Sequence, residues 1–346
     1  MRILVTGGAG YIGSHTLVEI LRAGHEAHVV DNYSNASPEA LKRVRQLANR
    51  GFEATEADIR DAAALRRVVA DFAPEAVIHF AGLKAVGESV ADPLSYFEVN
   101  VGGTVALLQA LRDSDCRRFV FSSSATVYGT PDYLPLDEAH PLRPESPYGR
   151  TKLQVEEMLG DLARSDPAWS IAMLRYFNPV GSHESGRIGE DPADVPNNLL
   201  PYVTQVATGR RERLTVHGDD YDTPDGTGVR DFIHVVDLAR AHLAAVDWSA
   251  TEGRGCRPFN LGTGRGASVL ELVAAFRAAS GQPIPCVIGP RRPGDVAVSY
   301  ADPALAAREL GWTASLGIPE ICASAWTWAS RNPQGYAGPE QVAAEA

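Results

Sequence analysis

Three residues whose side chains could hold and deprotonate an alcohol lie within thirty positions of one another: Ser124, Tyr148 and Lys152. Tyr148 and Lys152 are four residues apart, so on a helix they share one face. A free phenol has a pKa near ~10, too high for a base at neutral pH, and a neighbouring ammonium would lower it. Ser124 could then hold the substrate oxygen, whereas Ser122 and Ser123 are better suited to capping a strand end. The Tyr-x-x-x-Lys spacing alone is typical of a solvated helix face, so its meaning depends on the surrounding elements.

A glycine-rich turn near the start of the sequence predicts a dinucleotide site. Gly7, Gly10 and Gly13 follow the apolar run Ile3–Thr6 and precede an amphipathic segment. In such a turn the glycines permit a tight bend, close approach of the backbone to a pyrophosphate, and packing of the helix on the strand. The helix N-terminus then faces the anion. An oxidised nicotinamide would add positive charge beside Tyr148, so the turn and the triplet together predict hydride transfer at an alcohol carbon.

Two acidic residues at strand ends bear on which dinucleotide binds. Asp31 ends the second expected strand, where a carboxylate accepts hydrogen bonds from the ribose 2′-hydroxyl and repels a 2′-phosphate. NAD is therefore favoured over NADP, the alternative role of Asp31 being a loop cap. Asp58, after the third strand, either reaches the adenine edge or has a structural role.

Strands and helices alternate through the first half of the chain. The expected strands are short apolar runs: Ile3–Thr6, Ala27–Asp31, Glu53–Glu56, Ala76–Phe80, Arg118–Ser122 and Ile171–Tyr176. The expected helices lie between them: Ile12–Ala23, Pro38–Asn49, Ala62–Asp71, Pro93–Arg112 and Tyr148–Ala163. This alternation is typical of an α/β protein with a Rossmann-type, doubly wound parallel sheet. Ligands bind at the carboxyl ends of such strands, so the polar residues there converge on one crevice.

The second half predicts a smaller, discontinuous α/β substrate domain. Long Gly-, Pro-, Asn- and Asp-rich loops separate shorter expected helices: Asn198–Thr208, Val236–Asp247, Val269–Ala279 and Pro319–Ser330. Val229–Asp237 and Phe259–Leu261 are expected strands that could rejoin the first sheet. We therefore expect a dinucleotide-binding domain over 1–177, joined by parts of 229–262, a substrate domain over 178–337, and a mobile tail over 338–346.

Composition argues against several functional classes. The net charge of −11 disfavours nucleic acid or an anionic membrane as the main partner. No run reaches the length of a membrane-spanning helix, and the first residues lead directly into a strand, so we expect a cytoplasmic protein. The four cysteines are widely separated, which favours reduced thiols over a metal site. His79 lies within a strand and is expected to be a core residue.

Beyond the triplet and the turn, several longer stretches carry a family resemblance. They are GGAGYIGSH at 7–15, HFAGLKAVGES at 79–89, SSSATVYG at 122–129, RYFNP at 175–179, PNNL at 196–199, DGTGVRD at 225–231 and RRPGD at 291–295. With these stretches, residues 1 to about 337 resemble the UDP-glucose 4-epimerase family of the extended short-chain dehydrogenase/reductases.

The resemblance implies two sets of ligand contacts. NAD would be held by Gly7, Gly10, Tyr11, Ile12, Gly13, Asp31, Asn32, Asn35, Asp58, Ile59, Phe80, Ala81, Gly82, Lys84, Asn100, Tyr148, Lys152 and Phe177. A UDP-hexose would be held by Lys84, Ser124, Tyr148, Asn178, Asn198, Leu199, His217, Arg230, Arg292, Asp295 and Ser299. Two positions depart from the family: His217 stands where a phenylalanine commonly lies beside uracil, and Phe232 where a tyrosine is common. An imidazole can still stack, so altered affinity is expected.

The implied reaction is a reversible oxidation at C4 of UDP-glucose or UDP-galactose, part of galactose metabolism. Tyr148 as phenolate takes the 4-hydroxyl proton, and hydride moves to NAD and returns to the opposite face of the 4-keto sugar. A nucleotide-sugar 4,6-dehydratase shares the fold and the triplet but needs an Asp-Glu pair where this chain has Ala125 and Thr126. A non-catalytic NAD-sensing protein is the other alternative, and such proteins can dispense with the Tyr/Lys pair.

Two further expectations come from the resemblance. The residue four positions after Asp295 lies beside the sugar C2 substituent in the family, and here it is the small Ser299. In an extended segment Tyr300 would point the other way, so UDP-GlcNAc and UDP-GalNAc are expected as additional substrates. A homodimer is also expected, with the helices Pro93–Arg112 and Tyr148–Ala163 pairing across its interface.

Overall fold

A seven-stranded parallel sheet, in the order β3-β2-β1-β4-β5-β6-β11, organises the computed structural model of this protein. The structure describes residues 1–192, 196, 198–251, 253–292 and 294–338. The strands of this sheet are β1 (Arg2–Thr6), β2 (Glu26–Asp31), β3 (Glu53–Glu56), β4 (Ala76–His79), β5 (Arg118–Ser122), β6 (Ser170–Tyr176) and β11 (Gly255–Leu261). The strand order reverses direction at β1, and the predicted Rossmann-type α/β fold is confirmed.

Helices cover both faces of this sheet. They are α1 (Tyr11–Arg22), α2 (Pro38–Ala48), α3 (Ala62–Phe72), α4 (Val86–Ala91), α5 (Pro93–Tyr96), α6 (Gly103–Arg112), α7 (Pro147–Ser165) and α9 (Val235–Thr251). Successive strand residues point to opposite faces, so Ile3 and Val5 pack with α1, α2 and α9 in one core, whereas Leu4 packs with α3, α6 and α7 in the other.

The remaining elements form smaller sheets and helices, most of them around a third core, whereas the helix Ala304–Glu309 packs into the core that contains Ile3. The strands are β7 (Asn178–Val180), β8 (Leu214–His217), β9 (Val229–Arg230), β10 (Phe232–His234), β12 (Ala267–Ser268), β13 (Cys286–Gly289) and β14 (Val298–Ser299). The helices are α8 (Leu199–Ala207), α10 (Val269–Ser280), α11 (Ala304–Glu309) and α12 (Ile318–Arg331). Sheets β10-β7, β12-β9-β14 and β13-β8 are separate from the large sheet. None of the helices in the described part of the chain has both the length and the apolar character needed to cross a bilayer.

The helix expected over Pro93–Arg112 has the predicted bounds, but it is not α-helical throughout. The structure has α5, then a π-helix over Phe97–Gly102, then α6. The Thr104 hydroxyl donates to the Asn100 carbonyl and so competes with the regular backbone ladder at this turn. π-Helical turns often occur at functional sites, and this one carries Asn100.

The expected strand Val229–Asp237 is wrong, because it breaks into β9 and β10 and then becomes α9. Asp231, between the two strands, is fully buried and accepts hydrogen bonds from the backbone of Thr263, Gly264 and Ala301. After Asp231 the chain pairs with β7 and not with the large sheet. The expected strand Phe259–Leu261, in contrast, is the end of β11 and does join that sheet. The predicted tail over 338–346 lies, except for its first residue, outside the described residues.

Candidate active site

The turn between β1 and α1 leaves no room for side chains at two of its glycines. Gly7 has a φ of +71°, and a Cβ on it would lie 2.6 Å from the backbone nitrogen of Ala81. A Cβ on Gly13 would overlap the Gly7 carbonyl oxygen and lie 2.8 Å from the Gly8 Cα. Gly10 precedes α1 and offers no side-chain cap, so the first N–H groups of the helix stay available to an anion. These features fit a dinucleotide pyrophosphate.

The two acidic residues beside this turn, Asp31 and Asp58, are held by hydrogen bonds within the protein. Asp31 is buried, and its two carboxylate oxygens accept from the backbone N–H groups of Ala9 and Tyr33, each at 2.9 Å. Burial raises the pKa of Asp31. Asp58 accepts from Asn32 at 2.9 Å and from Arg60, whose guanidinium holds the pKa of Asp58 down at about 2. Asp31 thus caps two loops, and each of its oxygens keeps a lone pair for a ribose hydroxyl.

A loop after β4 completes this side of the crevice. Phe80 and Ala81 both donate backbone N–H groups to the Thr6 carbonyl, which sets the loop directly beside the glycine turn. Asn100 accepts from the Leu83 backbone at 2.8 Å and donates to the Leu83 carbonyl and to the Thr151 hydroxyl, both at 3.0 Å. The buried Asn100 therefore ties this loop to α7. His79 is a satisfied core residue, as predicted, because its ring nitrogens contact the hydroxyls of Thr6 and Thr104.

The three serines at the end of β5 have three different partners. The Ser122 hydroxyl donates to the Tyr176 hydroxyl at 3.3 Å, and the Ser123 hydroxyl donates to Glu156 at 2.6 Å. Ser124 caps the short 3₁₀ helix Ala125–Val127, accepting from the Thr126 backbone at 3.2 Å and from its hydroxyl at 3.0 Å. The expectation that Ser122 and Ser123 are the capping serines is wrong.

Tyr148 and Lys152 lie on α7, which Ser146 caps by accepting from the backbone N–H of Gly149 at 3.1 Å. Both side chains are buried. Burial raises the pKa of Tyr148 well above its usual value, against the lowering effect of its hydrogen bond with Ser124. The Lys152 ammonium donates to the Ser122 carbonyl at 2.8 Å and lies 5.8 Å from the centroid of the Tyr148 ring. Burial lowers the pKa of Lys152 to about 8. A phenol, an ammonium and a serine hydroxyl thus meet at one strand end.

The second side of the crevice is built around β9. Arg230 pairs in register with Ala267 of β12 and with Ser299 of β14, so these three side chains share one face. Its guanidinium lies 3.7 Å from Asp295 and donates to the Val229 carbonyl. Burial lowers the pKa of Arg230, although Asp295 opposes this shift. Asn178 donates its backbone N–H to the Asp231 carbonyl at 3.0 Å, which joins β7 to the same assembly.

Glu190 links residues from both predicted ligand sets. It lies 3.2 Å from the Lys84 ammonium and accepts from Asn198, which precedes α8, at 3.0 Å. Three other predicted contact residues have no such link among the described residues. His217 is half-buried at the end of β8 and contacts the Pro290 carbonyl, whereas Asn35 and Arg292 are exposed.

Several polar residues of the site did not follow from spacing alone: Thr126, Glu156, Arg175, Glu190 and Asp231. Glu156 had a usable signal, because it lies four residues after Lys152 and so continues the face of α7 that carries Tyr148. Glu190 had none, since it lies in an irregular loop. The described residues bring together no group of three or more His, Cys, Asp or Glu side chains that could hold a metal ion.

Residues 4–325 match the family model described as GDP-mannose 4,6 dehydratase. The UDP-glucose 4-epimerase of Mus musculus is 57% identical over 342 residues, which cover 97% of this chain and 98% of that protein. A crystal structure of UDP-glucose 4-epimerase from Bifidobacterium longum in complex with NAD⁺ and UDP is 51% identical, with a TM-score of 0.93, covering 97% of this chain and all of that one.

A third protein is similar in structure, the UDP-Glc/GlcNAc 4-epimerase from Campylobacter jejuni. It is 37% identical, with a TM-score of 0.83, and the match covers 95% of this chain and 99% of that one. Identities above one half over nearly the whole of both chains confirm the predicted family. With its dinucleotide cradle and its Ser-Tyr-Lys site, this chain belongs to the UDP-glucose 4-epimerase family of extended short-chain dehydrogenase/reductases.

Proposed function

We propose that this chain inverts the C4 configuration of UDP-glucose and UDP-galactose at the Ser124–Tyr148–Lys152 site, with NAD held in the glycine turn. One observation carries the proposal: the hydroxyls of Tyr148 and Ser124 and the ammonium of Lys152 are buried together at the end of β5. Conversion of UDP-galactose to UDP-glucose without added cofactor tests it.

Tyr148 is the proposed general base and acid. Burial keeps its phenol neutral in the protein alone, so deprotonation requires positive charge beyond that of Lys152. Bound NAD would supply that charge, accept the hydride from C4 and return it. Lys152 holds its ammonium beside the Tyr148 phenol. Ser124 orients the 4-hydroxyl oxygen of the sugar toward that phenol. The reaction has no net redox change, so the cofactor need not leave between turnovers.

The predicted NAD and UDP-sugar contacts are retained as part of this proposal. A half-buried Arg230 held beside Asp295 suits a nucleotide pyrophosphate, because guanidinium–phosphate hydrogen bonds are charge-assisted. Arg292 is the second proposed arginine, and His217 is proposed to stack on the uracil. We also retain the predicted division between an NAD-binding and a UDP-sugar-binding half.

The residues after Ser124 favour epimerisation over dehydration. Loss of water from C6 needs an additional acid and base, and this chain has Ala125 and Thr126 at that place. The Thr126 hydroxyl donates to Ser124 and so supports the catalytic serine. The complete Tyr148–Lys152 pair likewise favours an enzyme over a non-catalytic NAD sensor.

We propose that the acetylated sugars UDP-GlcNAc and UDP-GalNAc are also substrates, because Ser299 leaves space beside C2. The register places Ser299 on the face that carries Arg230. The Tyr300 ring instead lies 3.7 Å from the position that a Cβ on Gly266 would take. The Campylobacter jejuni enzyme, named for both kinds of sugar, has this fold.

Ser299→Tyr should selectively remove activity toward the acetylated pair, because the ring would fill the space needed by the N-acetyl group. We expect kcat/KM for UDP-GlcNAc to fall about 10- to 200-fold relative to that for UDP-glucose, the range for steric discrimination in a pocket. The measurement is kcat/KM for both sugar pairs in the wild type, Ser299→Tyr and the control Tyr300→Ala. Negligible acetyl-sugar activity in the wild type, or a change caused by Tyr300→Ala and not by Ser299→Tyr, would refute the assignment.

We propose that two copies of this chain form a homodimer. Val86, Val90 and Leu94 are 44%, 65% and 79% exposed, and they lie on α4 and α5, which pack against α7. This patch adjoins the helices that the family resemblance assigns to the dimer interface. Light scattering should give twice the 37.0 kDa of one chain, and Leu94→Glu should shift the mass toward the monomer. A monomer mass for the wild type at all working concentrations would exclude the dimer.

A further inference from the structure

A buried ion pair lies directly behind the catalytic residues. Arg175, on β6, donates to both carboxylate oxygens of Glu156, with the shortest contact at 2.6 Å. The two side chains are 4% and 3% exposed. Arg175 also donates to the Tyr128 hydroxyl at 3.1 Å, which in turn donates to Asn260 at 2.6 Å. Buried charges are costly unless they are paired and fully hydrogen-bonded, and this pair meets both conditions.

The pair contacts the strand end that presents the catalytic serine. Glu156 accepts from the Ser123 hydroxyl at 2.6 Å, while Lys152 donates to the Ser122 carbonyl at 2.8 Å. The last residue of β5 and the residue that follows it are therefore held by two successive turns of α7. Ser124 follows immediately in the chain.

We propose that Glu156, fixed by Arg175, is a positioning residue for this reaction: it anchors the strand end that carries Ser124 and places a carboxylate one helical turn from Lys152. The inference rests on the proposed function, and it assigns no contact between Glu156 and the substrate. Lys152 is buried, and its ammonium lies 4.9 Å from the centroid of the Phe121 ring. In such surroundings a negative charge one helical turn away is needed to favour the protonated amine.

Other titratable groups around Lys152 do not supply this charge. Several titratable groups surround the Lys152–Tyr148 pair. They are His79 from β4, Tyr96 from α5 (whose hydroxyl donates to Glu88), Arg175 and Tyr176 from β6, and Glu156 from α7. Burial lowers the pKa of His79 to about 3, so His79 is neutral, and the pKa values of the three tyrosines are raised. Glu88 is exposed. Glu156 is therefore the buried carboxylate of this set, and it raises the pKa of Lys152 against the effect of burial.

The test is the pH dependence of kcat in two variants of Glu156. Glu156→Gln keeps hydrogen-bonding atoms but loses the charge, so the pKa values of Lys152 and Tyr148 should both fall. We expect the limbs of the profile to move to lower pH by about one unit, a tenfold change in the protonated fraction. Glu156→Asp keeps the charge but shortens the side chain that reaches Ser123. We therefore expect kcat to fall at every pH, while both limbs of the pH profile stay at their wild-type positions.

Two further variants keep the test decisive. Ser123→Ala leaves the Glu156–Arg175 ion pair intact, and it should lower kcat at all pH values while the protein retains bound NAD. This variant tests the proposal even if Glu156→Gln does not fold. Glu39→Gln is the matched control, since Glu39 pairs with another buried arginine, Arg43, on α2. Its profile should not move. Unmoved limbs in Glu156→Gln, or unchanged kcat in Ser123→Ala, would overturn the proposal. Absence of epimerase activity in the wild type would instead refute the proposed function.

Discussion

Tyr148→Phe should lower kcat by about 10²–10⁴-fold, the usual contribution of a positioned general acid–base group. Phenylalanine keeps the ring that is buried beside Tyr176 and Lys152, and it removes only the hydroxyl that can exchange a proton. Affinity for UDP-sugar and the content of bound NAD should change little. The measurement is the initial rate of UDP-galactose conversion, with bound NAD assayed in the same preparation.

A second substitution separates charge from geometry at the same site. Lys152→Arg retains a positive charge, but a planar guanidinium cannot take the place of a compact ammonium that donates to the Ser122 carbonyl. It should also lose activity. A Tyr148→Phe variant with near-normal rates would exclude Tyr148 as the base, whatever the behaviour of Lys152→Arg.

Gly13→Ala should remove bound NAD and with it all turnover. The added Cβ would overlap the Gly7 carbonyl oxygen and approach the Gly8 Cα, and both are backbone atoms of the turn that cannot rotate away. The overpacking should lower the free energy of unfolding by about 1–3 kcal/mol, and loss of the ligand should lower it further. NAD released on denaturation and the thermal unfolding midpoint measure the two effects.

The matched control is Gly51→Ala, because a Cβ on Gly51 would meet nothing within 4 Å. Its free energy of unfolding should stay within about 0.5 kcal/mol of the wild type. The wild type should release NAD(H), in keeping with Asp31. A predominance of NADP, or Gly13→Ala protein that retains a full complement of NAD, would contradict the account of the turn.

The central strands of the parallel sheet could be predicted from sequence because they are buried on both faces, whereas the edge strand β3 is mostly exposed. Glu53–Glu56 and Arg118–Ser122 are found as expected, four other strands differ by one residue at one end, and β11 begins four residues before the expected Phe259. The helix expected over Pro93–Arg112 was found with the predicted bounds, but its π-helical middle was not predicted. Its apolar periodicity is helical throughout, whereas in the structure the Thr104 hydroxyl bonds to the Asn100 carbonyl at the π-helical segment. Periodicity does not report such a competing hydrogen bond.

The catalytic triplet could be identified because its members are close in sequence or follow an element boundary. The residues that support it could not, since they come from separate elements. Glu156 and Arg175 meet only when α7 packs on β6, and Glu190 reaches Lys84 across 106 positions of the chain. Electrostatics also need the fold. A phenol beside an ammonium suggests a lowered pKa, yet burial dominates, and the pKa of Tyr148 in the protein alone is raised.

The central claim is that this chain epimerises a UDP-hexose with NAD that it already holds. The most direct measurement incubates the purified protein with UDP-galactose and no added cofactor, and identifies the nucleotide sugars that form. The account predicts UDP-glucose, approached to the same equilibrium from either sugar, with no net consumption of NAD. No conversion even when NAD is added, or a 4-keto-6-deoxy sugar as the product, would contradict it.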